Sequence, residues 1–448
     1  MIPNPSVMKA VEKLNYRVTI GDVAAQAGLD IQVAERDLLA LASEAGGHLQ
    51  VAESGDIAYL FPRNFRGVLQ SKYFRLRLQN WWNKVWETLF YIIRVSFGIL
   101  LIVSIVLIFV TILVIIMSMN SRNDSGRGYG GGRSRGGGGA FIPYFWISPN
   151  WFYVFRPDYY RRRSYYRQQS RRSYNTRNTS SSGSESDMNF LEAVFSFLFG
   201  DGNPNANLEE TRWQTIGTVI RNSNGAIIAE QVAPYLDNVG RDWRENEDYM
   251  LPVLTRFNGR PEVSPDGQII YHFPELQVTA KNQRSPQPAS AYLRELPWKF
   301  SQASSGQIIG AAGLGGLNLV GALVLGNLLQ QGLELGGLVA FVGSIYWLLL
   351  AYGIGFLTIP LLRYFWIQWR NRKVEARNEA RQERAVALIH ADDEVRQKLT
   401  FAEQFATRTI VNESDLAYTT EQDLTEQEYL RSDKIDEEWN RRLGQSET

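Results

Sequence analysis

The stretch Gly55-Asp-Ile-Ala-Tyr-Leu-Phe-Pro62 recurs 212 residues further on as Gly267-Gln-Ile-Ile-Tyr-His-Phe-Pro274. The match extends back without a gap from Val51/Val263 through Gly47/Gly259 to Leu39/Leu251. A repeat of this kind marks one structural unit used twice. The two copies flank an intensely apolar segment, so the chain reads as a duplicated module built around membrane anchors, which points to membrane-associated binding or assembly work.

In copy one (1–62), Ser6 to Leu14 suits a first helix, and Gly21 to Leu29 a second that ends at Gly28, the usual residue for a left-handed turn. A third helix puts Val33, Leu38, Leu39 and Leu41 inward and runs to Gly46-Gly47. Two strands, His48–Glu53 and Asp56–Phe61, alternate apolar with polar around Ser54-Gly55. Three helices and a β-wing make a winged helix-turn-helix. Copy two (207–280) repeats the order: Trp213–Arg221, Ala226–Leu236, a helix around Asp242–Phe257, then strands around Pro261–Ser264 and Gln268–Phe273. Its middle is three residues longer, since Val232-Ala233 matches Val23-Ala24 at an offset of 209.

Charge separates these modules from DNA readers. Residues 1–62 hold four basic and eight acidic side chains, and residues 207–280 six basic and eleven acidic. Non-specific DNA affinity needs clustered Lys and Arg facing phosphates. Protein docking is the expected role of both modules.

Three segments are predicted to lie in lipid. Val95–Ser118 is an uncharged run of 24 residues, long enough for about 30 Å of hydrocarbon. The second span, 306–331, and the third, 335–367, read as a tight hairpin, with small faces at Gly306/Gly310 and Ala312/Gly316 for close helix approach. Asn318 and Asn327, the strongly polar side chains there, are expected to bond between helices. Arg363, Arg370, Arg372, Lys373, Arg377 and Arg381 follow the third span, so the positive-inside rule puts copy two and the C-terminal tail on the cytoplasmic or stromal side. Segment 63–94 is basic and amphipathic, which argues for the same side for copy one, but the C-terminal side of 95–118 is equally basic. If 95–118 crosses once, the copies face opposite sides; if the aromatic stretch Ala140–Phe155 brings the chain back, they share one.

Between them, 119–189 is a Gly/Arg/Ser/Tyr-rich low-complexity linker, with twelve arginines and two aspartates in 120–180. Such a segment suits anionic lipid headgroups, with stacking on single-stranded RNA as the alternative. Within 190–206, Phe190–Phe199 reads as a short apolar helix, either an interfacial anchor or a helix packed on copy two. A connector (281–305) leads to the second span. After the third, 368–411 is expected to be one long helix with Val395, Leu399, Ala402 and Phe405 on a single face, followed by an extended acidic tail, 412–448. The fold class is thus mainly α with small β-wings: two winged-helix-like modules, transmembrane helices and a long C-terminal helix.

No chemistry of catalysis emerges. The 448-residue chain has a net charge of +1 and no cysteine, which excludes disulfides, thiolate nucleophiles and cysteine-held zinc or iron–sulfur sites. There is no P-loop, dinucleotide fingerprint, HExxH or GxSxG. His48 and His272 fall on the wings as packing residues, and His390 stands apart. No catalytic, cofactor or metal residue is expected, and the first 30 residues show no basic-then-apolar leader.

Phe195-Ser-Phe-Leu-Phe-Gly-Asp-Gly-Asn-Pro204 and Leu416-Ala-Tyr-Thr-Thr-Glu421, with the general layout, give the whole chain its family likeness. It resembles an uncharacterised family of cyanobacterial and chloroplast membrane proteins whose plant members carry a loose iron–sulfur cluster biosynthesis label. The absence of cysteine gives that label no support as cluster ligation by this chain. The resemblance implies a thylakoid or plasma membrane location and a role in assembling or maintaining photosynthetic complexes. The function expected is a non-enzymatic membrane scaffold or assembly factor; the alternative is a membrane-tethered nucleic-acid binder.

Overall fold

A computed structural model describes residues 4–72, 74–124, 188–240, 242–280, 288–331, 336–412, 416–427, 429 and 439. Most of the low-complexity linker, including Ala140–Phe155, and most of the acidic tail lie outside the described residues. The fold is mainly helical with small sheets.

Copy one comprises α1 (Pro5–Lys13), β1 (Arg17–Thr19), α2 (Ile20–Ala27), α3 (Ile31–Ala45), β2 (His48–Ala52) and β3 (Ile57–Leu60), followed by α4 (Phe65–Lys72). Local chemistry sets these limits. Thr19 and Asp22 form a reciprocal capping box on α2, and Gly28 closes it at φ 64°. Asp30 caps α3 by accepting from the amides of Gln32 and Val33. Next come α5 (Phe74–Asp124) and α6 (Phe190–Phe199).

Copy two comprises α7 (Leu208–Asn222), β4 (Ala226–Ile227), α8 (Ala229–Val232), α9 (Leu251–Phe257), β5 (Arg260–Val263) and β6 (Ile269–His272). The repeat extends to detail: Gly46 and Asn258 both end their helices left-handed, and Gly47 and Gly259 each abut a phenylalanine, Phe61 and Phe273, too closely for a Cβ. The long helix expected around Asp242–Phe257 is not formed. A 3-10 turn at Asp248–Met250 precedes a helix that starts only at Leu251, where Pro252 fits the first turn but no interior position. Likewise Ala226–Leu236 divides into β4, α8 and a 3-10 turn at Ala233–Tyr235 around Pro234.

The rest of the chain forms α10 (Pro274–Gln277), β7 (Val278–Thr279), α11 (Ser305–Leu329), α12 (Leu338–Ser344), α13 (Tyr346–Ile389), α14 (Asp393–Glu403), β8 (Thr409–Ile410) and β9 (Leu416–Thr419). The expected single helix over 368–411 therefore breaks: α13 stops at Ile389, and Asp392 caps α14 by accepting from Val395 N at 3.1 Å. The expected extended tail instead contributes an ordered strand. Sheet orders are β1-β3-β2-β9, β4-β6-β5 and β7-β8, the last pair parallel.

The chain divides into two compact units. The modular unit (1–81, 204–297, 372–448) holds both copies, each with its own apolar core. The helical unit (82–203, 298–371) holds most of α5, α6, α11, α12 and the first part of α13. Lys84–Asn120, Ser305–Leu329 and Tyr346–Ile389 are long and apolar enough to cross a membrane. Here α6 packs with Leu101, Ile105, Ala311 and Phe356, so its buried face is met by these helices rather than by copy two. The close approaches of α11 also differ from expectation. Gly315 meets Phe356 and Gly326 meets Tyr346, whereas Gly306 and Gly316 face open space. α11 carries small residues on every side, so spacing alone could not choose the stripe. Asn318 accepts from Ser104 Oγ at 2.8 Å and is buried, whereas Asn327 is exposed.

Candidate docking surface of the paired modules

The two copies are joined through α2 and α7. Gly217 lies against Ala25, and Gly21 against the Glu275 carbonyl, both too near for a side chain. At this junction Asp22, its side chain 2% exposed, pairs with Arg221 at 2.6 Å. Its carboxylate also accepts from Thr279 Oγ1 and Ala280 N, each at 2.9 Å, and from Thr19 N at 3.0 Å. The repeat explains its position. Asp22 is the capping-box residue of α2, and its counterpart Gln231 accepts from Ile228 N at 3.0 Å. In copy one the carboxylate does this local work and also neutralises Arg221.

Several of the arginines that follow the third apolar span have structural partners. Arg381 is the largest fully buried side chain among the described residues. It donates to Leu293 O at 2.9 Å, Glu295 Oε1 at 2.8 Å and, through Nε, Asp237 Oδ1 at 3.1 Å. Arg377 grips Glu295 with two bonds of 2.7 and 2.6 Å, and Arg384 donates to Ala233 O and Leu236 O at 2.8 Å. Burial alone would raise the Glu295 and Asp237 carboxyls. The hydrogen bonds and charges of Arg377 and Arg381 on Glu295, and of Arg381 and Arg212 on Asp237, outweigh it and hold both below their ordinary values. The distal part of α13 is thereby clasped to copy two. In the helical unit, Arg363 donates to Ser196 O at 3.2 Å, at the end of α6, and Arg370 stacks over Trp298.

The segment after α13 then straps both modules. Ala226, Ile228 and Ile270 of copy two pack with Val395 and Ala402 of α14. Lys398 is buried between Glu230 (2.9 Å) and Glu247 (3.1 Å), and Tyr271 donates to Glu247 at 2.6 Å. Burial works against the Lys398 charge, but the two carboxylates prevail and raise its pKa. Beyond α14, β8 pairs with β7, Val411 covers Ala52 and Ala58 of copy one, and β9 adds to β2.

His48 Nδ1 lies 3.2 Å from Thr420 O, beyond β9, and His272 Nε2 lies 3.1 Å from Gln277 Oε1 at the end of α10. His390 Nδ1 lies 3.1 Å from Val386 O at the end of α13. Among the described residues no group of three or more His, Asp or Glu side chains is placed to hold a metal. What the paired modules present instead is a surface: the exposed side of α3 (Gln32, Glu35, Arg36, Leu39), Leu251, Val263 and Ile269 of copy two, and a shallow groove on α13 lined by Glu379, Gln382, Val386 and His390.

No family model matches the chain. No solved structure matches it either. A chloroplastic protein of Arabidopsis thaliana, At5g03900, described as uncharacterized, is 37% identical over 454 aligned positions, covering 98% of this chain and 82% of the relative. A chloroplastic relative and three apolar helices are compatible with a thylakoid membrane protein. By that identity over nearly its whole length, the chain belongs to the family of this chloroplastic protein.

Proposed function

We propose that the chain is a non-enzymatic integral membrane scaffold or assembly factor, serving photosynthetic membrane complexes and docking protein partners through two acidic winged-helix modules. The winged-helix reading rests on the repeated order of three helices and a β-hairpin, α1-β1-α2-α3-β2-β3 and α7-β4-α8-α9-β5-β6. One observation carries the docking reading: repeat-equivalent leucines are exposed on the third helix of each module, Leu39, which the sequence spacing puts inward but which is 44% exposed, and Leu251 at 61%. A DNA-reading helix needs clustered Lys or Arg on that side, whereas the exposed side of α3 carries Arg36 beside Glu35, and α9 is only seven residues long. Exposed apolar side chains on an acidic module suit a protein surface.

The junction at Asp22 supports both modules lying on one membrane face, stromal or cytoplasmic. The helical unit supports it independently. Leu101 and Ile105 cluster with Phe190, Ala311 and Phe356, while Ile108 and Ile115 cluster with Ala322, Leu325 and Val342. Asn120 thus lies beyond one end of the bundle. Met188, whose carbonyl accepts from Gln307 Nε2 at 2.7 Å, lies at the other end.

The test is an affinity pull-down of the full chain in mild detergent, with nuclease, followed by mass spectrometry. A stable protein partner should be recovered after nuclease and fall roughly tenfold or more with the paired Leu39→Glu and Leu251→Glu substitutions, since anchor residues carry most of an interface's energy. Recovery of RNA and no stable protein would favour the tethered nucleic-acid binder and sink the docking reading.

A further inference from the structure

The repeat places a covered sheet edge beside an equivalent that is guarded. In copy one, Ala52 N donates to Asp56 O at 2.8 Å, which fixes the bonded pairs of the β2–β3 hairpin. Antiparallel strands alternate, so Gln50 and Ala52 turn their backbone groups to β3 while Leu49 and Val51 turn theirs outward. The strand β9 fills this outward edge in the register Gln50↔Thr419 and Val51↔Tyr418. Thr420 N donates to Leu49 O at 3.0 Å, and Leu49 N donates to Thr420 Oγ1 at 2.9 Å.

In copy two, Ser264 N donates to Gln268 O at 2.8 Å, so the outward positions of β5 are Pro261 and Val263, with Pro265 next in phase. Proline has no N–H to offer, so two of these three outward positions lack a donor and Val263 alone among them keeps one; proline on an edge strand is a common guard. The repeat equivalents in copy one are Leu49 and Glu53, which keep their donors. Copy two has thus closed its edge chemically, whereas copy one keeps an edge that can accept a strand and covers it with its own chain.

That cover is lightly held and carries the wrong sign of charge. Leu416 is half-buried and Tyr418 is 38% exposed, so little apolar surface anchors β9. On its outer side the buried Gln427 side chain holds Thr419: Gln427 Oε1 accepts from Thr419 N at 3.0 Å, and Gln427 Nε2 donates to Thr419 O at 2.6 Å. A strand held mainly by backbone bonds opens at lower free energy than a packed core. Residues 416–427 hold three acidic and no basic side chains, yet they lie on a module with four basic and eight acidic. Like charges across an interface oppose association, and opposite charges favour it.

We propose that β9 is an internal stand-in on the β2 edge, displaced by a basic, extended segment of a partner protein that adds antiparallel to β2 in the same register. The mode is strand addition, in which backbone bonds supply affinity and flanking charges supply selection. This rests on the protein-docking reading and gives it a partner chemistry and a built-in gate. An acidic strap keeps the edge covered until a basic strand competes for it.

The experiment uses the full chain in detergent and a fluorescent peptide of residues 416–427 carrying Glu421→Lys, Asp423→Lys and Glu426→Lys. The lysine peptide should bind saturably, more tightly than the native-sequence peptide, and more weakly as salt rises. Tyr418→Pro, which removes the strap's bond to Val51, and Gln427→Ala, which removes its tie, should each raise affinity about tenfold or more by freeing the site. Val51→Pro should abolish binding while leaving the β2–β3 bonds intact, because Val51 N–H points outward. Equal binding of the two peptides overturns the basic partner. Binding indifferent to Tyr418→Pro, Gln427→Ala and Val51→Pro overturns the edge. Dimerisation of the strap-released chain that the lysine peptide cannot compete away would assign the edge to a second copy and overturn the proposal. The Leu39 and Leu251 pull-down reads the helix faces and these variants read the sheet edge, so either can fail alone.

Discussion

Arg381→Ala should destabilise the modular unit by about 3–5 kcal/mol, the range found when one partner of a buried ion pair is removed. Arg381 has a side chain only 1% exposed and answers two carboxylates and the Leu293 carbonyl. Alanine leaves Glu295, 6% exposed, with Arg377 alone, and strands the carbonyl. Lysine is no adequate substitute, since one ammonium cannot reproduce the guanidinium fork. Chemical denaturation of the full chain, followed by tryptophan fluorescence, measures the loss. The acid limb of stability checks the cause. Glu295 and Asp237 have folded pKa values below their ordinary 4.5 and 3.8. Their contribution is therefore complete above those ordinary values and drains away as pH falls through the depressed ones. The variant should lose much of this acid dependence. An Arg381→Ala chain as stable as the parent, with an unchanged acid limb, would show the cluster to be idle.

Asp22→Ala should cost about as much, on the order of 3–5 kcal/mol, but with a different signature. Its carboxylate serves four donors from both sides of the junction between the copies. Removing it leaves Arg221, 15% exposed, without its carboxylate partner and donating to the Thr279 hydroxyl, and frees the first turn of α2. The copies keep separate apolar cores, so separation should precede unfolding. Limited proteolysis should cut between them at denaturant concentrations where each module still resists. Asp22→Asn, which keeps the cap geometry but not the charge, should fall between alanine and the parent. Simultaneous loss of both cores with the alanine variant would mean that the junction is not a distinct step.

Much of this architecture was legible in the residues. The repeat gave both modules because Gly47/Phe61 and Gly259/Phe273 reuse one packing solution. The three apolar runs were plain from length alone. The third helix of copy two was over-extended because its apolar spacing outlasts its start, which Pro252 delays. The arginines after the third span were read only as a topology signal. Their partners Glu295 and Asp237 lie 86 and 144 residues away, and no local pattern announces such a pair. The strap was missed for a related reason: a four-residue strand inside an acidic tail has no periodicity of its own, and its order comes from the β2 edge. Asp22 was visible as a cap, but its bond to Thr279 spans 257 residues and follows only from the packing of one copy on the other.

The most direct test of the central claim, that the two modules form one pair on a single membrane face, exploits the absence of cysteine. Ser54→Cys and Asp266→Cys, made singly, place one thiol in the hairpin turn of each copy. Labelling with an impermeant maleimide in sealed, oriented vesicles reads the face of each without background. Both thiols should react from the same side, and neither should require detergent once that side is exposed. Labelling from opposite sides would contradict that claim.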